Sequence, residues 1–265
     1  MTTYIADHAG AINIQSRNLR PIHIGAGMCE LEARGLEPDT KAANSLSTSH
    51  VYADLRLYHH IRNEYAGRAS HVAIMQYRRM FFLGKPYFWQ KSLKAMNYAS
   101  LSQSGGEVPI DVKSRDEYLA HLARLSDRVL RNEIGSADFL ANEMSFETLN
   151  LSVEQQYIDA IKLLYPDQPE YVDAWYDLRS ILERMTSRTV VANCLDGHWG
   201  YFNNCFVSSW ENFVRYYDFL FEALDGLAEY NEVYRLFGYL AERIFGVYVT
   251  YSRLRVSSRA ILRFA

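Results

Sequence analysis

Three short apolar runs in the first third of the chain, "TYIA", "RPIHIGAG" and "HVAIM", set the strongest limit on what it can fold into. Each has the side chains of a buried β-segment and stops at small, Gly-containing or charged residues. Between the second and third runs, residues 51–65 place Leu55, Tyr58 and Ile61 on one helical stripe. A chain that alternates short strands with helical periodicity builds an α/β fold.

Further along, helical patterns cover residues 115–131, 152–165 and 170–186, the last two separated by Pro166 and Pro169. "TVVANCL" and "NNCFVS" are expected as later strands around a turn at "DGHWGY", and residues 210–227 and 234–246 as two closing helices. Residues 37–49 and "SQSGGEVP" are expected as loops. No repeat or linker interrupts the pattern, so residues 1–265 are expected as a single domain, α/β with a helical insert and C-terminal helices.

Lys plus Arg (28) nearly balance Asp plus Glu (31), which argues against a nucleic-acid binder. A hydrophobic share of 49% supplies a sizeable core, and 20 Tyr with four Trp suit stacking on sugar rings. Cys29, Cys194 and Cys205 show neither metal-ligand spacing nor a disulfide framework. With no signal peptide and no apolar run near 18 residues, a soluble, cytoplasmic protein is expected. After Glu242 the chain has no acid but carries Arg243, Arg253, Arg255, Arg259 and Arg263. That tail reads either as a solvated edge or as a basic contact to anionic lipid at the inner face of the cytoplasmic membrane.

Four features bear on chemistry. "YRLFGYLAERIFGVYV", residues 234–249, sets a wide apolar arc against a narrow one of Arg235, Gly238, Tyr239, Glu242 and Arg243. Alone, that narrow arc reads as a solvated face. "QYRRMFF" puts Arg78 and Arg79 directly after a strand, where open α/β sheets gather ligands and where guanidinium groups match phosphate, although alone the pair reads as surface arginines beside an aromatic cluster. Asn203 and Asn204 offer donors and acceptors for sugar hydroxyls, although spacing favours a turn. His198, beside Trp199, is more often structural than functional. The chain lacks the elbow, metal-helix and phosphate-loop signatures of common hydrolases and nucleotide hydrolases.

In order along the chain, "YIADH", "RPIHIGAG", "LRLYHHIRNEY", "VAIMQYRRMFF", "YPDQPEY", "NNCFVSSWENFVRYYDFLF" and "YRLFGYLAERIFGVYV" resemble the blocks of a bacterial glycosyltransferase family first catalogued as an uncharacterised domain. One member is a galactofuranosyltransferase of O-antigen synthesis. The "YRR" and "RxxGYLAER" blocks are the specific ones. The chain departs from the pattern at Gln76, where His is usual, at Ala53 and Asp54, where Glu is usual, and at "PDTKAANS".

The resemblance implies a GT-A-like fold with a mixed central sheet. It implies transfer of a hexose, galactofuranose from its uridine diphosphate donor, with inversion, to a surface polysaccharide or lipid-linked glycan. Glu242 is implied as base, with Asp196 and Asp54 as rivals. Tyr77, Arg78, Arg79, Arg235 and Arg243 are implied around the donor diphosphate; Tyr239 is a further candidate there, and Asn203, Asn204 and His198 are candidates around sugar. The chain has no Asp-x-Asp pair, so no metal and no other cofactor is expected. The departures keep open a pyranose donor, or a non-catalytic glycan-binding subunit.

Overall fold

The computed structural model describes residues 2–7, 12, 16, 18–24, 37–39, 46, 49–67, 69–83, 106–111, 115–125 and 127–264. Strands β1 (Thr2–Asp7), β2 (Leu19–His23), β3 (Glu37–Pro38) and β4 (His71–Gln76) run parallel in the order β3-β2-β1-β4. Helix α1 (Leu55–Glu64) makes the connection into β4. At β4 the sheet forks. One branch turns through residues 77–78 into β5 (Arg79–Phe81), then crosses to β10 (Ile261–Phe264) and β6 (Glu107–Ile110). In the other branch β8 (Trp199–Ser209) runs antiparallel to β4 and to β7 (Phe139–Ser145), which also pairs with β9 (Val256–Ser258).

Side-chain alternation builds a core on each face of this sheet. Tyr4, Ala6, Val72, Ile74, Phe139 and Phe206 point to the larger one. It is covered by α1, α4 (Val153–Leu164), α5 (Glu170–Met185), α6 (Arg188–Leu195), α7 (Trp210–Asp225) and α8 (Leu236–Tyr251). Ile5, Ala73, Met75, Leu140 and Val207 point to the smaller core, under α2 (Arg115–Arg124).

Several expectations change, among them the start of the 37–49 loop, which is strand β3. "TVVANCL" is helix α6: the Ser187 side chain caps it at the Val190 amide, and Val191 and Leu195, one turn apart, are buried together. The end of "SQSGGEVP" is edge strand β6, where Pro109 costs no central ladder bond. The expected 115–131 helix is split into α2 and α3 (Asp127–Ile134), with the Leu125 carbonyl taken by Asn18 Nδ2 at 3.1 Å. Strand β7 has no counterpart among the expected elements, because buried Asn142 and half-buried Glu143 break its apolar pattern.

The Asn203–Asn204 pair lies inside β8 rather than in a turn. Both residues take positive φ, 78° and 47°, a conformation that Asn tolerates better than other side-chain-bearing residues. The double kink peels β8 off β4: residues 206–209 pair with β4, whereas residues 199–201 pair with β7 alone, past a register shift at Ala141 and Glu143. Strained backbone of this sort costs about 1–3 kcal/mol per residue and persists where its surroundings over-determine it. Asn204→Gly, which accepts the φ, is expected to be more stable than Asn204→Ala by about 1–2 kcal/mol in urea unfolding. Equal stability of the two variants would refute the strain.

Candidate functional site

The fork leaves backbone groups of β8 without a strand partner, and side chains satisfy them. The Asn203 carbonyl accepts Gln76 Nε2 at 2.9 Å, and the Asn204 carbonyl accepts the Tyr58 hydroxyl at 2.8 Å. The Asn203 amide donates to Glu242 Oε1 at 3.0 Å. Gln76, the last residue of β4, is the hub. Its NH₂ also donates to Asp54 Oδ2 at 2.5 Å, while its Oε1 accepts Arg79 Nη1 at 3.3 Å. Two acceptors on one side and a cation on the other fix the amide's orientation. Asp54, Gln76, Arg79, Asn203 and Glu242 thereby form one hydrogen-bonded set, joining the first third of the chain to its closing helix.

Glu242 is nearly enclosed. Its Oε2 accepts Arg243 Nη1 at 2.7 Å, and Arg243 in turn reaches Gln156 and the Tyr239 carbonyl between the rings of Tyr157 and Phe202. Burial pushes the Glu242 carboxyl above its ordinary value, against the pull of Arg243, Arg79 and the Asn203 amide. Burial likewise draws the Arg243 guanidinium down, opposed by Glu242. The carboxylate has about four lone-pair sites, and two donors occupy it, so it can still accept a hydroxyl.

From Gly238 onward the narrow arc of α8 is therefore turned to the interior. Gly238 does not open a ligand pocket: a Cβ there would meet the Ala53 Cβ at 2.8 Å, so the glycine admits the turn before α1. Tyr239 bonds the Tyr165 hydroxyl at 3.1 Å, and Arg243 holds Glu242 rather than facing solvent. Arg235, at φ 57°, is exposed at the head of α8 above the Tyr239 ring.

The other expected residues divide. Arg79 sits in the set and also pairs with Glu107 at 2.9 Å. Arg78 is exposed over the half-buried Tyr77 ring. Asp196 lies outside the set, held by Arg179 through two bonds of 2.8 and 3.2 Å. The expected sugar ligands have protein partners: Asn203 Nδ2 meets Asn142 Oδ1, Asn204 Nδ2 the Gly238 carbonyl, and His198 Nδ1 the Leu151 carbonyl. Of the basic tail, Arg243 pairs with Glu242, Arg255 with Asp138, Arg259 with Glu133 and Arg263 with Glu107, which offsets much of its charge. Among the described residues no helix is long and apolar enough to cross a membrane.

Sequence reasoning missed the hub and the buried polar residues along the same sheet edge. Asp7, His23 and Asp39 are buried at or just beyond the carboxyl ends of β1, β2 and β3, on the edge where Gln76 ends β4. Ionisable residues buried at that edge are a signal of their own, since burying a polar group is costly unless it is used or paired. "YIAD" carries it in plain view.

Residues 2–253 match the family described as a domain of unknown function, DUF4422. The chain belongs to this family. A solved structure described as the apo form of the bifunctional glycosyltransferase WbbM superposes with a TM-score of 0.73 at 20% identity, over 100% of this chain. The chain spans 45% of that protein's length. No curated protein matches. The likeness shows that this DUF4422 chain has a GT-A-like mixed α/β fold.

In the DUF4422 chain, Gln76→Glu would set a second carboxylate against Asp54 and the Asn203 carbonyl. It is expected to lower unfolding free energy by on the order of 3 kcal/mol at neutral pH. Wild-type stability in urea would show that the hub is not closed as described.

Proposed function

We propose that this chain is an inverting, nucleotide-sugar-dependent glycosyltransferase. It transfers galactofuranose from its uridine diphosphate donor to a growing bacterial surface polysaccharide. The observation that carries the reading is the convergence of Arg79 and Glu242 on one polar set at the carboxyl edge of the parallel strands. The fold shared with a glycosyltransferase and the "YRR" and "RxxGYLAER" blocks support it.

In this reading Arg79, Arg78 and Arg235 hold the diphosphate, and Tyr77 flanks it. The acceptor hydroxyl oxygen attacks the anomeric carbon and passes its proton to Glu242. The bond from that carbon to the diphosphate breaks, its electron pair leaving on the phosphate oxygen, where Arg79 offsets the charge. Arg243 and the Asn203 amide keep Glu242 ionised and aimed. Asp54 steadies the hub through Gln76. The assignment uses arginine where a metal would otherwise neutralise the leaving group.

The test is product formation from UDP-galactofuranose and a lipid-linked acceptor, with UDP-galactose and UDP-glucose as pyranose controls. Glu242→Gln is expected to lower kcat about 10²–10⁴-fold while UDP affinity stays unchanged. Because Glu242 must be ionised and burial raises its carboxyl, the rate should climb with pH along a limb above the ordinary glutamate value of about 4.3. That limb should vanish in the variant. Arg79→Ala is expected to weaken UDP binding by about 1.5–3 kcal/mol. No product from any of the three donors, or wild-type turnover by Glu242→Gln, would refute the mechanism.

A further inference from the structure

Glu242 also lines a cavity of ≈ 180 Å³ whose walls include none of Asp54, Gln76 or Arg79. Glu143 of β7, Asn193 of α6, Trp199 and Tyr201 of β8, and Gly246 of α8 form its other sides. The volume is well below the about 300–1,000 Å³ that takes drug-sized ligands, and suits a single ring.

Its chemistry selects the ring. Trp199 is 55% exposed although it lies in a strand, which leaves an indole face open at the rim. Glu143 is half-buried, and no donor or cation among the described residues pairs with it; burial alone pushes its carboxyl up. Two carboxylates, Glu143 and Glu242, repel a diphosphate, and the one cation among the described lining residues, Arg243, is already held by Glu242 and Gln156. What remains favourable is a neutral ligand with an apolar face and many hydroxyls.

Gly246 points the same way. It sits inside helix α8, where glycine is the weakest former apart from proline. A Cβ added there would meet nothing nearer than Tyr201 Cδ2 at 4.0 Å. Packing does not require the glycine, and its missing side chain keeps the cavity open.

We propose that this cavity is the acceptor subsite. It takes the terminal sugar ring of the glycan, stacked on Trp199, with hydroxyls bonded to Glu143 and to Glu242. The assignment rests on the transferase reading, and it places the attacking hydroxyl at the base from a side separate from Arg79.

The test measures donor and acceptor binding separately in the full chain. UDP affinity is read by calorimetry. Acceptor binding is read by calorimetry in every variant, and also from the indole N–H signal in chains that keep Trp199, during titration with methyl glycosides of galactose, glucose, mannose, rhamnose and N-acetylglucosamine. At least one glycoside is expected to shift that signal. Trp199→Ala and Gly246→Leu are expected to weaken glycoside binding at least tenfold with UDP affinity within twofold of wild type. Trp199→Phe should retain most binding, and Gly246→Leu should melt no lower than wild type. If UDP binds and no glycoside shifts Trp199, or if Gly246→Leu binds glycosides as wild type does, the subsite is overturned and the transferase reading stands. If glycosides bind and UDP does not, the transferase reading falls, and the acceptor role with it.

Discussion

Two adjacent asparagines in left-handed conformation decide where the buried polar set of this protein sits. A straight β8 would stay hydrogen-bonded to β4 further along its length, and Gln76 and Glu242 would lose the Asn203 backbone groups that they meet. The kink at Asn203 and Asn204 breaks that ladder in one place. Three of the backbone groups at the kink are met by side chains from different elements: Gln76 from β4, Tyr58 from α1, Glu242 from α8. The asparagine side chains are used as well, one tied to Asn142 and the other to the Gly238 carbonyl. Each such bond adds only about 0.5–1.5 kcal/mol net, so several are needed to outweigh two strained residues.

The same arrangement explains why so much charge is buried around it. A carboxylate and a guanidinium removed from water gain little stability over an apolar pair of equal volume, and losing one partner is expensive. Glu242 and Arg243 are hard to explain as stabilising residues, yet their geometry is well determined: each has further partners beyond the other, and aromatic rings close over the arginine. Such a pair holds one carboxylate in one orientation at the end of a polar path from the sheet edge. Fixed orientation of a proton acceptor is what a displacement at a sugar carbon needs.

Much of the architecture was legible. The alternation of "TYIA" and "HVAIM" with helical stripes marked the parallel strands and α1, and the apolar arc of α8 was read correctly. The misreadings share a cause, in that tertiary contacts overrode local pattern. β-Branched "TVV" became helix because Ser187 caps it and Val191 packs with Leu195. "FLANEMS" hid a strand because Asn142 serves the interior network. Within the site, the meeting of the Arg79 segment with Glu242 followed from the family blocks. The hub did not, since Gln76 stands where the resemblance expects His and no spacing rule marks it. The narrow arc of α8 resembled a solvated or ligand-facing surface because nothing local shows that β8 bends to receive it.

If the β8 kink joins Arg79 and Glu242 into one working site, a crystal structure with uridine diphosphate bound will show it. The diphosphate is expected within hydrogen-bonding distance of Arg79 at the carboxyl edge of β4. The Asn203 amide should remain on the Glu242 carboxylate, which faces the vacant sugar position. Diphosphate bound elsewhere, with Arg79 still on Glu107, would contradict it.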